Sequence, residues 1–338
     1  MAFGIEKRLT PSTLTILLTY RCNAACEQCC FESNPSIREQ LNENEVLNAI
    51  KEAKNTFPEL QLVCFSGGEA FLLKKTLYSA LQLCSELNLK SRIVTNAFWA
   101  RDMRKASETV EQLKSLNLTE INISTGVDHQ KWVHEDAVVN AAEALLDVNL
   151  TTLITVEVDT TESGRFKSLE SKLSQKSLLN HPKLTVQSNS WMPFQSDAKE
   201  RDFEATKESL RIPCSQVFEN IVITPHNMLS ACCGLTLEHI PEMKLGDLRK
   251  ESIRELYDIQ LDDFLKHWIR AEGPYSIIET LMGEDYVDNE LPKITHICQA
   301  CVFLHKTPEI KEALFKQYLN HVPRIMSKFI LTSKEGSV

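Results

Sequence analysis

The run Leu14-Thr15-Ile16-Leu17-Leu18-Thr19-Tyr20 leads into Cys22-Asn23-Ala24-Ala25-Cys26-Glu27-Gln28-Cys29, and this stretch decides the reading of the chain. An apolar, β-branched run of this length predicts a buried strand. The loop after it carries three thiols in a C-x3-C-x2-C spacing. Three soft sulfur donors on a short loop suit a cuboidal iron–sulfur cluster better than zinc, which takes a fourth ligand to complete its tetrahedron. Three thiolates leave one iron open, and an open iron can bind a small molecule. The competing reading is three structural cysteines near a strand end.

One βα unit further on, Leu60 to Phe65 predicts a second buried strand, running into Ser66-Gly67-Gly68-Glu69. Glycines let a backbone approach a ligand closely, and the carboxylate can accept a hydrogen bond from an ammonium group. Alone, a Gly-Gly turn is most often only a turn. Together the two motifs resemble the radical S-adenosylmethionine (SAM) superfamily. The resemblance implies a [4Fe–4S] cluster held by Cys22, Cys26 and Cys29, whose open iron chelates SAM through its methionine amine and carboxylate. It also implies that an electron from the cluster cleaves SAM to a 5′-deoxyadenosyl radical, which abstracts a hydrogen atom. Ser66, Gly67, Gly68 and Glu69 then fall at the SAM amine. Where the family has an aromatic residue before the third cysteine, this chain has Gln28.

The alternation continues. A helix is predicted from about Leu41 to Ile50, and another from Thr76 to Leu87. Strands are predicted over Lys90–Thr95, Glu120–Ser124, Thr151–Val158 and Thr185–Trp191, with helices over Lys105–Leu116, Glu135–Val148 and Ser168–Leu179. Six strands alternating with helices predict a parallel α/β sheet wound as a partial (β/α)6 TIM-like barrel. Chemistry is then expected at the strands' C-terminal ends, where Cys22, Glu69, Asn96 and Ser124 fall. Thr95-Asn96-Ala97-Phe98-Trp99 resembles the family's turn near the SAM ribose, with Ala97 in place of glycine. Ser124 opens a loop facing SAM or substrate, in which His129 is expected to be solvated. Trp191 to Phe194 occupies the place where relatives pack adenine.

The chain has 338 residues, of which 43% are hydrophobic, enough for one large domain and a smaller appendage. A formal net charge of −9 argues against a sequence-independent nucleic-acid binder, which needs a basic face. The sequence shows no apolar run of membrane-spanning length and no signal-peptide core, so no membrane partner and a cytoplasmic setting are expected. In a reducing compartment, 11 cysteines read as metal ligands and reactive thiols rather than disulfides. Only a short segment precedes the first strand, so no N-terminal module for gripping a peptide leader is expected.

Past residue 210 the βα rhythm stops. Three divisions are expected: the barrel over 1–210, a cysteine-rich extension over 211–305, and a helix and tail over 306–338. The extension carries Cys214, Ala231-Cys232-Cys233-Gly234 and Ile297-Cys298-Gln299-Ala300-Cys301. The runs Asn220–Thr224 and Met228–Ala231 predict a hairpin that brings Cys214 and Cys232 together. Cys214, Cys232, Cys298 and Cys301 would complete a second [4Fe–4S] cluster, with structural zinc as the alternative. The arrangement resembles the SPASM/Twitch-type auxiliary-cluster extensions of radical SAM enzymes that modify ribosomally made peptides. Gly246 to Ile253, with Leu256-Tyr257, looks like the helix-start segment those extensions carry.

Among those enzymes the chain is most similar to the epipeptide-type peptide epimerases, in its C-N-A-x-C-x-x-C-C-F loop, Cys-Cys pair and final I-C-x-x-C. That likeness implies Cα hydrogen abstraction from a precursor peptide, L-to-D epimerisation, Cys233 as the hydrogen-atom donor, and an external electron donor of flavodoxin or ferredoxin type. Cys233 as a spare cysteine or a substitute ligand for Cys232 is the competing reading. Other activities left open are peptide cyclisation through a thioether or carbon–carbon bond, a Twitch-type maturase, and a small-molecule enzyme. Cys64 and Cys84 read as core residues. From Thr307 the chain predicts a helix with Ile310, Leu314 and Leu319 on its apolar side. Lys311, Lys316, Lys328 and Lys334 make this tail locally basic.

Overall fold

A computed structural model describes residues 10–158, 164–190 and 205–335. Trp191 to Phe194 lie outside the described residues. The chain divides into two compact units, Thr13–Phe203 with Ile223–Asn227, and Met1–Ser12 with Glu204–Val222 and Met228–Val338.

In the first unit six strands alternate with five helices: β1 (Thr13–Thr19), α1 (Glu43–Thr56), β2 (Leu62–Gly67), α2 (Lys74–Glu86), β3 (Lys90–Thr95), α3 (Met103–Ser115), β4 (Glu120–Gly126), α4 (Glu135–Asp147), β5 (Thr151–Val158), α5 (Gly164–Gln175) and β6 (Leu184–Ser190). The strands lie in the order β6-β5-β4-β3-β2-β1, each parallel to its neighbour. This singly wound α/β sheet is the partial barrel that the alternation predicts. Its helices start where local chemistry places them. Asn42 caps α1 by accepting from the Glu45 amide at 3.0 Å, while Glu45 accepts from the Asn42 amide at 2.8 Å. Asp102 caps α3. Leu14, Ile16 and Leu18 of β1, Val63 and Phe65 of β2 and Ile121 and Ile123 of β4 are fully buried. Cys64 and Cys84 are buried too, as core residues.

The second unit holds α6 (Lys207–Leu210), β7 (Asn220–Ile223), β8 (Met228–Ser230), β9 (Lys244–Asp247), α7 (Ile253–Ile259), α8 (Phe264–Glu272), α9 (Pro274–Met282), α10 (Glu284–Asn289), α11 (Ile297–Lys306) and α12 (Pro308–Glu335). The expected hairpin is present as β7 and β8, and β9 extends it antiparallel to β8. Ser252 opens α7 with a capping box to Glu255. Three helices absent from the sequence reading, α8 to α10, lie between α7 and α11 in the chain and pack among themselves and with α11 and α12. Trp268, Tyr257 and Phe218 are among the largest fully buried side chains. Buried Glu272 joins α8 to α12, accepting from the Trp268 indole at 2.9 Å and pairing with Arg324 and with Lys328 at 3.2 Å. Ile310 is buried as expected, but Leu319 is 67% exposed and lies off the buried face of α12.

Candidate functional site

The cysteine loop leaves β1 and is closed at its base by returning chain. The Cys22 amide donates to Asn34 O at 3.2 Å and the Tyr20 amide to Glu39 O at 3.1 Å. Inside, the Cys29 amide donates to Cys26 O at 3.3 Å, while Cys22 Sγ accepts from the Ala24 amide and Cys29 Sγ from the Ser33 amide, both at 3.4 Å. Burial pushes the Cys22 thiol up to about 12, and nearby Glu69 and Cys29 push in the same direction. The Cys26 thiol is also raised, first by burial, then by Glu157, Cys29 and Cys22. Cys22 and Cys26 are therefore close enough to Cys29 for its charge to oppose their ionisation, the situation that a cationic metal centre reverses.

The Gly-Gly-Glu turn is stitched to this loop. The Gly68 amide donates to Thr19 O at 2.7 Å and the Glu69 amide to Arg21 O at 3.0 Å. A Cβ at Gly67, where φ is +124°, would meet Thr19 O at 2.3 Å, and one at Gly68 would meet Arg21 O at 2.2 Å. The glycines thus allow two backbones to pass in contact, where the sequence reading had them approach a ligand.

Glu69 is 1% exposed. It accepts from the Thr95 hydroxyl at 2.9 and 3.1 Å, from the Asn96 amide at 2.8 Å and from the Phe71 amide at 3.1 Å. Burial nevertheless raises its carboxyl to about 7. Asn96 donates from Nδ2 to Asn23 Oδ1 at 3.0 Å and to Cys22 Sγ at 3.7 Å. Cys22, Glu69 and Asn96 are thereby brought together. Ser66 and Ser124 are half-buried on β2 and β4, in register with Leu17 and Thr155. Two polar atoms beside the loop, Asn23 Nδ2 and Ser33 Oγ, are buried without a partner among the described residues.

Sequence reasoning missed Glu157. It is 1% exposed on β5 and accepts from the Asp128 amide, from the His129 amide at 2.8 Å and from His129 Nδ1 at 3.1 Å. His129 is thus half-buried against a carboxylate rather than solvated. Lys131 links the same loop to the cysteine loop, 3.1 Å from both Asp128 and Glu27. A lone acid near the end of the apolar strand Thr151–Val158 was the available signal, because a buried carboxylate needs donors.

In the second unit, Cys214, Cys232, Cys298 and Cys301 all line one cavity of about 210 Å³. Cys298 and Cys301 stand three residues apart on one face of α11, which His296 caps by accepting from the Cys298 amide at 3.1 Å. Gly234 keeps the cavity open, since a Cβ there would lie 3.3 Å from Cys298 Sγ and 3.5 Å from Cys232 Sγ. Burial pushes the Cys298 thiol up to about 12 and raises those of Cys232 and Cys301, with the neighbouring thiols adding to the shift. Among the described residues, no group of three or more His, Cys, Asp or Glu side chains is spaced to hold a single metal ion. Cys233 is half-buried and does not line this cavity.

Residues 16–156 match the family model described as the Radical SAM superfamily. The protein named "Putative peptide biosynthesis protein YydG", from Bacillus subtilis (strain 168), is 30% identical over 132 residues, 39% of this chain and 41% of that protein. The match therefore spans less than half the length of that relative. Native anSMEcpe with bound AdoMet is a structural neighbour, with a TM-score of 0.56 and 12% identity over 94% of this chain and 99% of its own. Native anSMEcpe with bound AdoMet and Cp18Cys peptide follows, with a TM-score of 0.53 and 12% identity over 93% and 99%. At that identity these neighbours show the fold alone. The matched residues include the cysteine loop and the Gly-Gly-Glu turn, so the chain is similar to that superfamily over the stretch that carries both motifs. No helix among the described residues is long and apolar enough to cross a membrane.

Proposed function

We propose that this chain is a radical SAM enzyme that removes a Cα hydrogen from a ribosomally made precursor peptide and returns one from Cys233 to the opposite face, converting L residues to D. The relative concerned with peptide biosynthesis supports the peptide substrate. The observation that carries the epimerase reading is Cys233: it adjoins Cys232, which lines the four-cysteine cavity, yet stands outside that cavity itself. It is thus not counted among the proposed ligands.

The donor sets fit two iron–sulfur clusters. Cys22, Cys26 and Cys29 would hold the first, and Cys214, Cys232, Cys298 and Cys301 the second; both sets are sulfur-only and bring thiols into mutual repulsion. The unpartnered Asn23 Nδ2 and Ser33 Oγ offer polar partners for a bound molecule beside the first loop. With its cluster and SAM bound, the enzyme gains the strong hydrogen-abstracting power of the superfamily. Ser66, Gly67, Gly68, Glu69, Asn96 and Ser124 would form the SAM-facing wall at the strand ends, with Glu69 and Asn96 fixing the cysteine loop against it.

The Cys233 thiol gives a hydrogen atom to the planar carbon, and an electron from an external flavodoxin- or ferredoxin-type donor with a solvent proton restores the thiol. The test is reaction in deuterated water with wild type and Cys233→Ala. Epimerisation leaves one deuteron on each inverted residue, and the alanine variant cleaves SAM without inverting the centre. A product two mass units lighter and free of deuterium would instead establish crosslinking. Full inversion by the alanine variant would remove Cys233 from the reaction.

A further inference from the structure

The sequence predicts a locally basic tail, but three of its lysines, Lys311, Lys316 and Lys328, are already paired. Lys311 lies 3.4 Å from Glu242, Lys316 lies 2.5 Å from Glu312, and Lys328 lies 3.2 Å from Glu272. Among its exposed, mostly polar residues α12 also presents two large apolar side chains. Phe315 is 80% exposed and Leu319, one turn on, is 67% exposed. Phe315 also walls a groove of about 470 Å³ within the second unit, together with Phe264, Leu304, Leu314 and Tyr318. Phe264 and Tyr318 face each other across 6.2 Å, so aromatic surface from α8 and α12 meets there.

Apart from Tyr318, the polar members of the groove are three acids, Glu242, Asp262 and Asp263, with His305 and Lys311. Glu242 is paired with Lys311, and Asp263 with Lys266. Exposed Asp262 has no side-chain hydrogen bond or ion pair among the described residues. An open apolar groove with an unneutralised carboxylate at its rim is complementary to an apolar anchor flanked by cations. A second copy of this chain is the poorer occupant. An isologous contact would set the same acidic rim against itself, on a chain of formal net charge −9.

We infer that the α8–α12 groove docks an amphipathic segment of the precursor peptide, with leucine- or phenylalanine-type anchors on one face and lysine or arginine at its flanks. The inference rests on the peptide-substrate reading and assigns that substrate a holding site made by the chain's own C-terminal helix. It is the helix-in-groove mode, in which anchors at i, i+3, i+4 and i+7 enter the apolar floor while flanking charges set orientation. Leu314 and Tyr318 face the groove four residues apart, with Phe315 between them, an array matched to such anchors.

The test uses the full chain and a fluorescent synthetic helix with leucine at i, i+3, i+4 and i+7 and lysine elsewhere. Controls are its glutamate counterpart and a scrambled lysine peptide of the same composition. The expected result is saturable binding of the first peptide alone, weakening as salt is raised, and weaker by at least about tenfold in Phe315→Asp and in Asp262→Lys. Both residues are exposed, and unchanged circular dichroism and thermal unfolding would show that the variants fold. Equal binding of the scrambled peptide, or wild-type binding by both variants, would overturn the inference. So would a concentration-dependent dimer abolished by Phe315→Asp, which would give the groove to a second copy. SAM cleavage and peptide modification are assayed separately with wild type. If a peptide is modified while the groove binds no helix, the docking site alone fails; if no peptide is modified, the substrate reading fails.

Discussion

The Thr95 hydroxyl donates to both carboxylate oxygens of Glu69, at 2.9 and 3.1 Å, and so ties the end of β3 to the Gly-Gly-Glu turn after β2. The same hydroxyl accepts from the Ala97 amide at 3.1 Å and the Trp99 indole at 3.3 Å. One threonine thus holds Glu69 and the turn that presents Asn96 to the cysteine loop. Thr95→Val keeps the shape and removes the donor, leaving a buried carboxylate short of a partner. The expected cost is about 1–3 kcal/mol by chemical denaturation, with Thr95→Ser recovering most of it.

Glu69 also makes stability depend on pH. Burial lifts its carboxyl from 4.5 to about 7, so between those values the folded chain binds more protons than the unfolded one. Stability of the metal-free protein should therefore fall as pH rises through that window, by on the order of 3 kcal/mol in total. Glu69→Gln should flatten this part of the profile in denaturant titrations at stepped pH. An unchanged slope would place its origin in another group.

Gly68→Ala should be among the most damaging single changes in the barrel. The added methyl would lie 2.2 Å from Arg21 O, and backbone on both sides leaves little room to yield. A loss of more than about 3 kcal/mol, or failure to accumulate folded protein, is expected. Gly164→Ala is the control, since a Cβ there meets nothing within 4 Å among the described residues.

Glu157 holds the loop after β4 through the Asp128 and His129 amides. Glu157→Ala should free both amides, read as a gain of at least about tenfold in their hydrogen-exchange rates, while amides in the middle of β5 stay protected. Because Lys131 connects this loop to Glu27, iron retention by the first cysteine loop should fall as well.

Iron content separates the two cysteine sets. Wild type reconstituted without oxygen should hold about eight irons per chain, and Cys214→Ser or Cys301→Ser about four. Gly234→Ala should lower retention at the second set, because its methyl would crowd Cys298 Sγ. Four irons in wild type would leave the second set to another role.

Much of this was legible locally. Strand and helix alternation from Thr13 to Ser190, the C-x3-C-x2-C loop and the hairpin before Cys232 are patterns of neighbouring residues, and the structure keeps them within a few positions. His129 was not legible, because its environment is set by Glu157, a residue 28 positions away. Leu319 matched the helical spacing of a buried face, but which stripe of α12 is covered depends on where α8 and α9 lie. Nor does a Gly-Gly pair announce that its neighbour is the exit of β1.

The order of apolar, turn-forming and sulfur-bearing residues along the chain therefore determined the α/β class, the six strands of the barrel and the two sets of candidate ligands. Tertiary structure alone decided what each polar side chain meets. The register Gly126 against Glu157 brings that carboxylate under the loop after β4, and the pairing of β1 with β2 lets Gly68 run along Thr19 and Arg21. Backbone periodicity is a property of adjacent residues and can be read in line. Hydrogen-bond partnership between strands depends on which segments pack side by side, and that is settled only when the apolar faces close together.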